Sequence, residues 1–468
     1  MLQEEIKKLA IELGHIPSIF TLMIEEFNKE SGNGFFIWVH PKDDDQYIII
    51  ELTKEGQLIK FITSLITNDH SQWNEEQLKE RALQYAHLYI PLEDWDALTL
   101  ENWKFTKNDT YRLTYTQFHN QLTLPYTGFY LDIHKTNTVT EFKYYGIAKN
   151  IRSYKHELDV ETVKAKYIEG LEMELSIKTL NPALYVNGDN LPHFVYEPIW
   201  HNHFNISEGK MEKQELKEEI EEKLIDLKMP DALESKTIEE FIHFKKEEYT
   251  KIREVNMDQY LGVVWRHKES LLLPKEDLTF NSYFDEQNNG TLKLMLDPQT
   301  NEIRGAYSFH NRTGQLNLTI EECQSIAMQM VFNIYPDANK YFKMISDKVV
   351  TKENKCMFKY RLVYNDIPVN IHVLFITVNR TTGYVDYFQN CDIEIETLNQ
   401  LKIAPTFTAE EAKQILIDEL EIEMKWRDIY DASSEVYYAL YYAPYFPNLN
   451  EKLVAIDAVT KNKIIAKL

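Results

Sequence analysis

Cysteine, glycine, basic charge and long apolar runs are all scarce in this 468-residue chain. The three cysteines, Cys323, Cys356 and Cys391, are odd in number and more than 30 residues apart. That spacing fits neither a disulfide framework nor a CxxC metal knuckle, and three small buried or half-buried thiols in a reducing cytosol are expected. With 14 Gly and 15 Pro, collagen-like and linker-like readings fail. GxGxxG and GxxxxGK[ST] do not occur, which disfavours a nucleotide site built on a glycine loop. HExxH and GxSxG are missing as well. Lys and Arg number 51 against 74 Asp and Glu, a net charge of -23, which speaks against a nucleic-acid coat or a protein of anionic membrane surfaces. The longest apolar runs, such as Ile371 to Val378, are strand-sized and fall short of the ~20 residues that span a bilayer. At the N-terminus, Glu4 and Glu5 stand where a signal peptide needs positive charge. A soluble, cytoplasmic protein is expected unless a leader has been removed.

What is present is enough to fold. Apolar residues make up 44%, aromatics 13% and charged residues 27% of the chain, a composition that excludes disorder. The length suits about three ordinary domains, but comparison of the chain with itself gives a different division. Trp73 to Ala82, running on to Tyr89-Ile90-Pro91, aligns without a gap with Leu318 to Ala327, running on to Ile334-Tyr335-Pro336. Each segment opens on a polar cap, Asn74 or Thr319, followed by acids, which are helix-start signals.

Similar strands follow each helix. Tyr111 to Phe118, Gly128 to His134 and Val139 to Tyr145 match Met357 to Tyr364, Val369 to Val378 and Tyr384 to Phe388. Asn137 and Gly383 supply the positive φ of the last turn in each copy. Upstream, Phe35 to His40 corresponds to Leu261 to His267, and Tyr47 to Ile59 to Thr291 through Arg304. Downstream, Leu158 to Lys164 parallels Phe407 to Lys413, and Phe194 to Trp200 parallels Leu440 to Phe446. The chain thus reads as a tandem duplication. The first half spans 1–205, with units of about 1–70, 71–150 and 155–205. The second spans 258–468, with units of about 258–312, 316–392 and 405–468. Between them, 206–257 reads as a charged helical joint, because Leu216, Ile220, Leu224 and Leu227 recur at helical spacing within Glu212 to Leu227.

A helix followed by antiparallel strands buries its apolar stripe on one sheet face, so the fold class is α+β rather than parallel βαβ. The last unit begins Thr408-Ala409-Glu410-Glu411-Ala412 and ends on a hairpin containing Asp457-Ala458-Val459-Thr460. This resembles the PepSY-type domain, whose helix opens T-x-E-E-A and whose final turn reads D-A-x-T-G. Lys461 or Asn462 stands where that family has Gly. With the duplication and the Trp-x-His strands, the whole chain resembles the YcdB/YcdC repeated-domain family of spore-forming bacilli. The resemblance implies tandem PepSY-like units that are non-catalytic and associated with peptidase inhibition or regulation.

Candidate chemistry is sparse. His193, His201 and His203, with Glu197 nearby, form the densest histidine group, and alternate residues of a strand share a face that zinc sites use. They are read as exposed loop histidines, because the matching stretch Tyr445 to Asn448 holds none. His40 and His267 each follow a Trp by two residues, and are read as satisfying nearby carbonyls beside core tryptophans. The acid pairs Glu75-Glu76, Glu321-Glu322 and Glu410-Glu411 sit where helix dipoles favour negative charge. Tyr437, Tyr438, Tyr441 and Tyr442 alternate on a strand that covers a helix on one side. No residue is assigned to catalysis, a cofactor or a metal. The expected function is a non-catalytic binding or regulatory protein with a peptide or protein partner, of basic character given the acidic surface. A metal-dependent hydrolase with its site between the halves, or a structural assembly component, are the alternatives.

Overall fold

A computed structural model describes residues 2–67, 73–106, 108–152, 159–200, 202–206, 210–213, 223–257, 259–270, 277–310, 312–346, 350–352, 354–391, 393–401, 404–430, 436–447 and 452–467. The first half opens with α1 (Gln3–Gly14), β1 (Thr21–Phe27), β2 (Gly34–His40), β3 (Asp43–Leu52) and β4 (Leu58–Thr63). Next come α2 (Glu75–Tyr89), α3 (Leu92–Trp95), β5 (Leu98–Phe105), β6 (Thr110–His119), β7 (Leu122–Thr123), β8 (Gly128–His134) and β9 (Val139–Gly146). Asn74 caps α2 by accepting from the Gln77 amide at 2.9 Å while Gln77 returns the bond at 3.0 Å. Leu78, Ala82 and Ala86, one residue per turn, then face the sheet. The strand order is β1-β2-β3-β4-β9-β8-β6-β5, with β7 on β6. The β4–β9 pairing, Phe61 opposite Phe142, fuses two helix-and-strand units into one sheet. α1 and α2 share its core, where Ile6, Ala10 and Leu78 join Phe36, Ile50 and Leu131.

The chain continues through α4 (Val160–Glu169), β10 (Leu171–Thr179), β11 (Pro192–Trp200), β12 (Asn202–Asn205) and β13 (Lys210–Lys213). The second half starts with β14 (Leu224–Asp226), α5 (Ile238–Ile242), β15 (Tyr249–Met257), β16 (Tyr260–His267), α6 (Phe280–Asn288), β17 (Thr291–Leu296) and β18 (Ile303–Ser308). It proceeds with α7 (Ile320–Ile334), α8 (Ala338–Tyr341), β19 (Phe342–Ile345), β20 (Val350–Lys352), β21 (Lys355–Tyr364), β22 (Ile367–Asn379), β23 (Val385–Gln389) and α9 (Ile395–Leu398). Its strands run β15-β16-β17-β18-β23-β22, then β21 and β19, repeating the first sheet strand for strand. Thr319 caps α7 with the same reciprocal bonds that Asn74 makes, here with Glu322 at 3.2 and 2.8 Å. All three cysteines are buried in this half.

The described ends of the helix expected over 212–227 are strand instead. Residues 210–213 and 224–226 are strands, and 214–222 lie outside the described residues. Backbone partners decide this: β13 pairs with β12 and β14 with β19, and those ladders stabilise these residues where a short solvated helix would be marginal. The end of the joint, 249–257, is strand too.

The last elements are α10 (Ala409–Ile417), β24 (Glu421–Tyr430), β25 (Val436–Tyr445), β26 (Lys452–Asp457) and β27 (Lys463–Ala466). The third units of the two halves trade hairpins. β10 and β11 extend the second half's sheet, with Ile177 beside Val369, and β26 and β27 complete their row. The row is covered by α10, whose Ala412 and Leu416 meet Ile177, Phe194 and Ile456. Conversely, β24 and β25 pair with β12 and β13 and are covered by α4. There Val163 and Tyr167 pack with Phe204, Leu440 and Tyr442. Buried hydroxyls tie the exchange, Tyr167 donating to the Tyr442 carbonyl at 2.6 Å and Tyr196 to that of Phe407 at 2.8 Å. Among the described residues no helix is long and apolar enough to cross a membrane.

Candidate functional site

The histidines singled out from sequence do not gather. His193 lies in β11, not in a loop, and its side chain is 28% exposed. Its Nδ1 stands 2.8 Å from Asp457 and its Nε2 3.1 Å from Asp189. The Asp457 bond raises the His193 pKa against the opposing effect of burial, with Asp189 adding to the rise. Asp457 is drawn down to about 2: burial alone would raise it, but His193 and the amides of Thr460 and Val459 outweigh that. Glu197 is engaged by Lys178, Ser176 and Asn370. His201 lies outside the described residues; for His203 only its backbone place in β12 is described. Among the described residues no group of three or more His, Cys, Asp or Glu is placed to hold a metal ion.

The remaining candidates are structural. Among the described residues His40 and His267 show no bond to a carbonyl; each Nδ1 accepts the amide two residues on, from Lys42 and Glu269, both at 3.3 Å. The local turn after each strand brings that amide back onto the ring. The acid pairs occupy the first turns of α2, α7 and α10. Tyr438, Tyr441 and Tyr442 are buried and Arg152 lies 3.4 Å over the Tyr437 ring.

What the structure leaves open is backbone. In each half one sheet edge is covered by the chain itself and the other is bare. β1 is met by the second half, since the Glu25 amide donates to the Leu278 carbonyl at 2.7 Å and Phe280 packs on Phe35 at 5.2 Å. β19 is paired with β14. β13, β14 and β24 also pair on one side only, but of the end strands of the two repeated sheets other than β1 it is β5 and β15 that have no second strand partner among the described residues. β15 is the barer of the two. Tyr249 anchors its start, buried against Phe244 at 5.3 Å, and every later residue is exposed. Ile252, Val255 and Met257 are 46%, 39% and 43% exposed, on a strand that also carries Lys251, Arg253 and Glu254. A bulge between Lys251 and Arg253 and the Lys251–Glu254 pair at 2.8 Å are devices that discourage indiscriminate edge pairing. This strand was concealed by the lysines and glutamates of 245–254. The signal that exposes it is Val255 to Met257, a two-residue turn and then the apolar Tyr260 to Trp265, a hairpin pattern.

Comparison with known proteins agrees with the duplication. The family model described as "YcdB, YcdC repeated domain" matches residues 3–146 and 232–391, the two nine-stranded repeats without their third units. YcdB of Bacillus subtilis (strain 168) is 27% identical over 469 residues, covering 99% of this chain and 98% of that protein. YcdC of the same strain is 27% identical over 457 residues, covering 96% and 97%. Among solved structures, the Bacillus megaterium YpeB C-terminal domain covers 46% of this chain and 97% of its own length at 13% identity, with a TM-score of 0.26.

Proposed function

The chain belongs to the YcdB/YcdC repeated-domain family, and from that premise we propose that it is a non-catalytic binding protein that takes an extended segment of a protein partner along β15. The observation that carries the reading is the contrast between matched strands: β1 is overlaid by Leu278 and Phe280, whereas β15 is exposed from Thr250 to Met257. A partner strand laid there satisfies the free backbone groups and covers Ile252, Val255 and Met257. The net charge of -23 favours basic residues on such a partner through long-range steering. A regulated peptidase held in this way is the case that PepSY-like units imply.

An array of short peptides alternating apolar and basic residues is the probe. Binders should protect the amides of 250–257 from hydrogen exchange. The double variant Ile252→Asp, Val255→Asp should weaken binding by about tenfold or more, while the unfolding temperature stays within about 2 °C because both side chains are exposed. An array without binders, or binders that leave 250–257 unprotected, would sink the proposal.

A further inference from the structure

A cavity of about 350 Å³ in the second half is walled by His243, Glu248, Tyr249, His267, His310, Arg312 and Tyr384. Its residues come from distant places in the chain and each is set by local structure. His243 ends α5 in the left-handed region, φ 53°, and its ring stacks on Tyr384 at 4.1 Å. His267 closes β16. Its Nδ1 accepts the Glu269 amide, which assigns the proton of the neutral ring to Nε2. The His310 ring lies 5.0 Å from that of His267. The Arg312 side chain is only 8% exposed. Its Nη1 donates to the Ile242 carbonyl at 2.6 Å and its Nη2 stands 3.2 Å from Asp386. Its buried Nε has no acceptor among the described residues, just as Oδ1 of the neighbouring Asp386 has no hydrogen-bond donor there, and a buried donor left so can take an acceptor from water or a ligand.

The carboxylates near the cavity are countered by cations. Asp386 is met by Arg312, by Lys355 at 3.1 Å and by Asn379 at 3.1 Å. Glu248, 3.9 Å from His267, is countered by Lys245 at 3.1 Å. Among the lining residues Arg312 and Glu248 balance, and Asp386 and Glu248 are each already countered by a lysine, so neither carboxylate is left without a cation. Burial holds the His243 and His310 pKa values down; Lys245 and Arg312 reinforce this at His243, and His267 and Arg312 at His310. An arriving negative charge would relieve those effects.

The first half provides an internal control. His15, also left-handed at φ 45°, ends α1 as His243 ends α5, and His40 matches His267. In the ungapped alignment that pairs Leu58 with Ile303 and Asn74 with Thr319, Leu65 and Thr67 stand opposite His310 and Arg312. Leu65 packs on the first core and the Thr67 hydroxyl meets that of Thr138 at 2.6 Å. The repeat thus folds without His310 or Arg312, and only the second copy has acquired both.

We propose that this cavity binds a small molecule through a carboxylate or phosphate group, received by Arg312, His310 and the Nε2–H of His267. Arginine with imidazole donors suits either oxyanion, and the volume accommodates the anion with a modest body against Tyr249 and Tyr384. A divalent cation is the poorer fit, since Arg312 would repel it and the histidines are not placed as a ligand set. This inference is independent of the reading of β15.

The test is calorimetric titration of the full chain with sodium phosphate and, separately, sodium acetate, followed in parallel by the ring signals of His267 and His310 in NMR. One anion or both should bind one-to-one with a dissociation constant below about 10 mM. Phosphate alone would mark a phosphoryl-bearing ligand, acetate alone a carboxylate. Arg312 also holds backbone carbonyls, so His310→Leu, the first copy's residue, is the deciding variant. It should weaken binding about tenfold without lowering the unfolding temperature. No binding of either anion, unshifted ring signals, unchanged affinity in His310→Leu, or uptake of zinc that phosphate and acetate do not affect would each overturn the proposal.

Discussion

Three hairpin turns in the second half close with the same chemistry, and one of them carries an unfavourable residue. Asn379 and Asp457 end strands, Asp297 directly follows one, and all three accept backbone amides of the turn through a side-chain oxygen. In each, the fifth residue is left-handed: Asn301 at φ 59°, Gly383 at 74° and Lys461 at 64°. Asn and Gly take that conformation cheaply, whereas a residue with a long side chain pays roughly 1 kcal/mol or more. Lys461 recovers part of this through Glu411 at 3.4 Å and the Phe407 ring at 4.9 Å, both exposed contacts of small worth. Lys461→Gly should therefore stabilise the protein by about 0.5 kcal/mol, net of the entropy glycine adds to the unfolded chain. Chemical denaturation measures this directly, and a loss of stability would mean that the Glu411 and Phe407 contacts outweigh the backbone.

Among the elements, β11 and the β26 turn meet through His193 and Asp457, one from each half. Their linkage to pH has two sides. Asp457 has its pKa lowered from 3.8 to about 2, so its contribution is complete above the unfolded value and is lost as pH falls towards about 2. His193 has its pKa raised above 6.5, so its contribution is complete below the unfolded value and is lost as pH rises through the folded one. The pair should stabilise the exchanged hairpins most between about pH 4 and 6.5. His193→Gln should cost about 1 kcal/mol in that window, a modest figure because solvent reaches the pair. The difference between wild type and variant in urea unfolding should shrink on both sides of the window. A difference that stays constant from about pH 3 to 9 would show that charge plays no part in it.

For the molecule as a whole, local signals were readable in advance and long-range ones were not. The caps at Asn74, Thr319 and Thr408, the matched strands and the turns at Asn137 and Gly383 are written within a few residues of one another. The joining of β4 to β9, the strand β15 and the cavity around Arg312 depend on partners far along the chain, which periodicity does not encode. The exchange of third units is the furthest-reaching case, because each hairpin pattern is correct whichever helix covers it. Its consequence concerns how the halves are held. Phe194 and Tyr196 of the first half lie beneath α10, and Leu440 and Tyr442 of the second beneath α4. Separating the halves uncovers both cores at once, at the cost that exposing several large apolar side chains carries, ~1.5–3 kcal/mol each. A protease site inserted between Lys213 and Lys223 should therefore be cut without releasing either fragment. The cleaved protein should elute as one species in size-exclusion chromatography and come apart only when denatured. Each half expressed alone should be poorly soluble, with its third unit stripped of its helix, and co-expression should restore a soluble complex. Fragments that part after cleavage in native buffer, or a first half that is soluble and fully folded by itself, would refute the exchange as the bond between the halves.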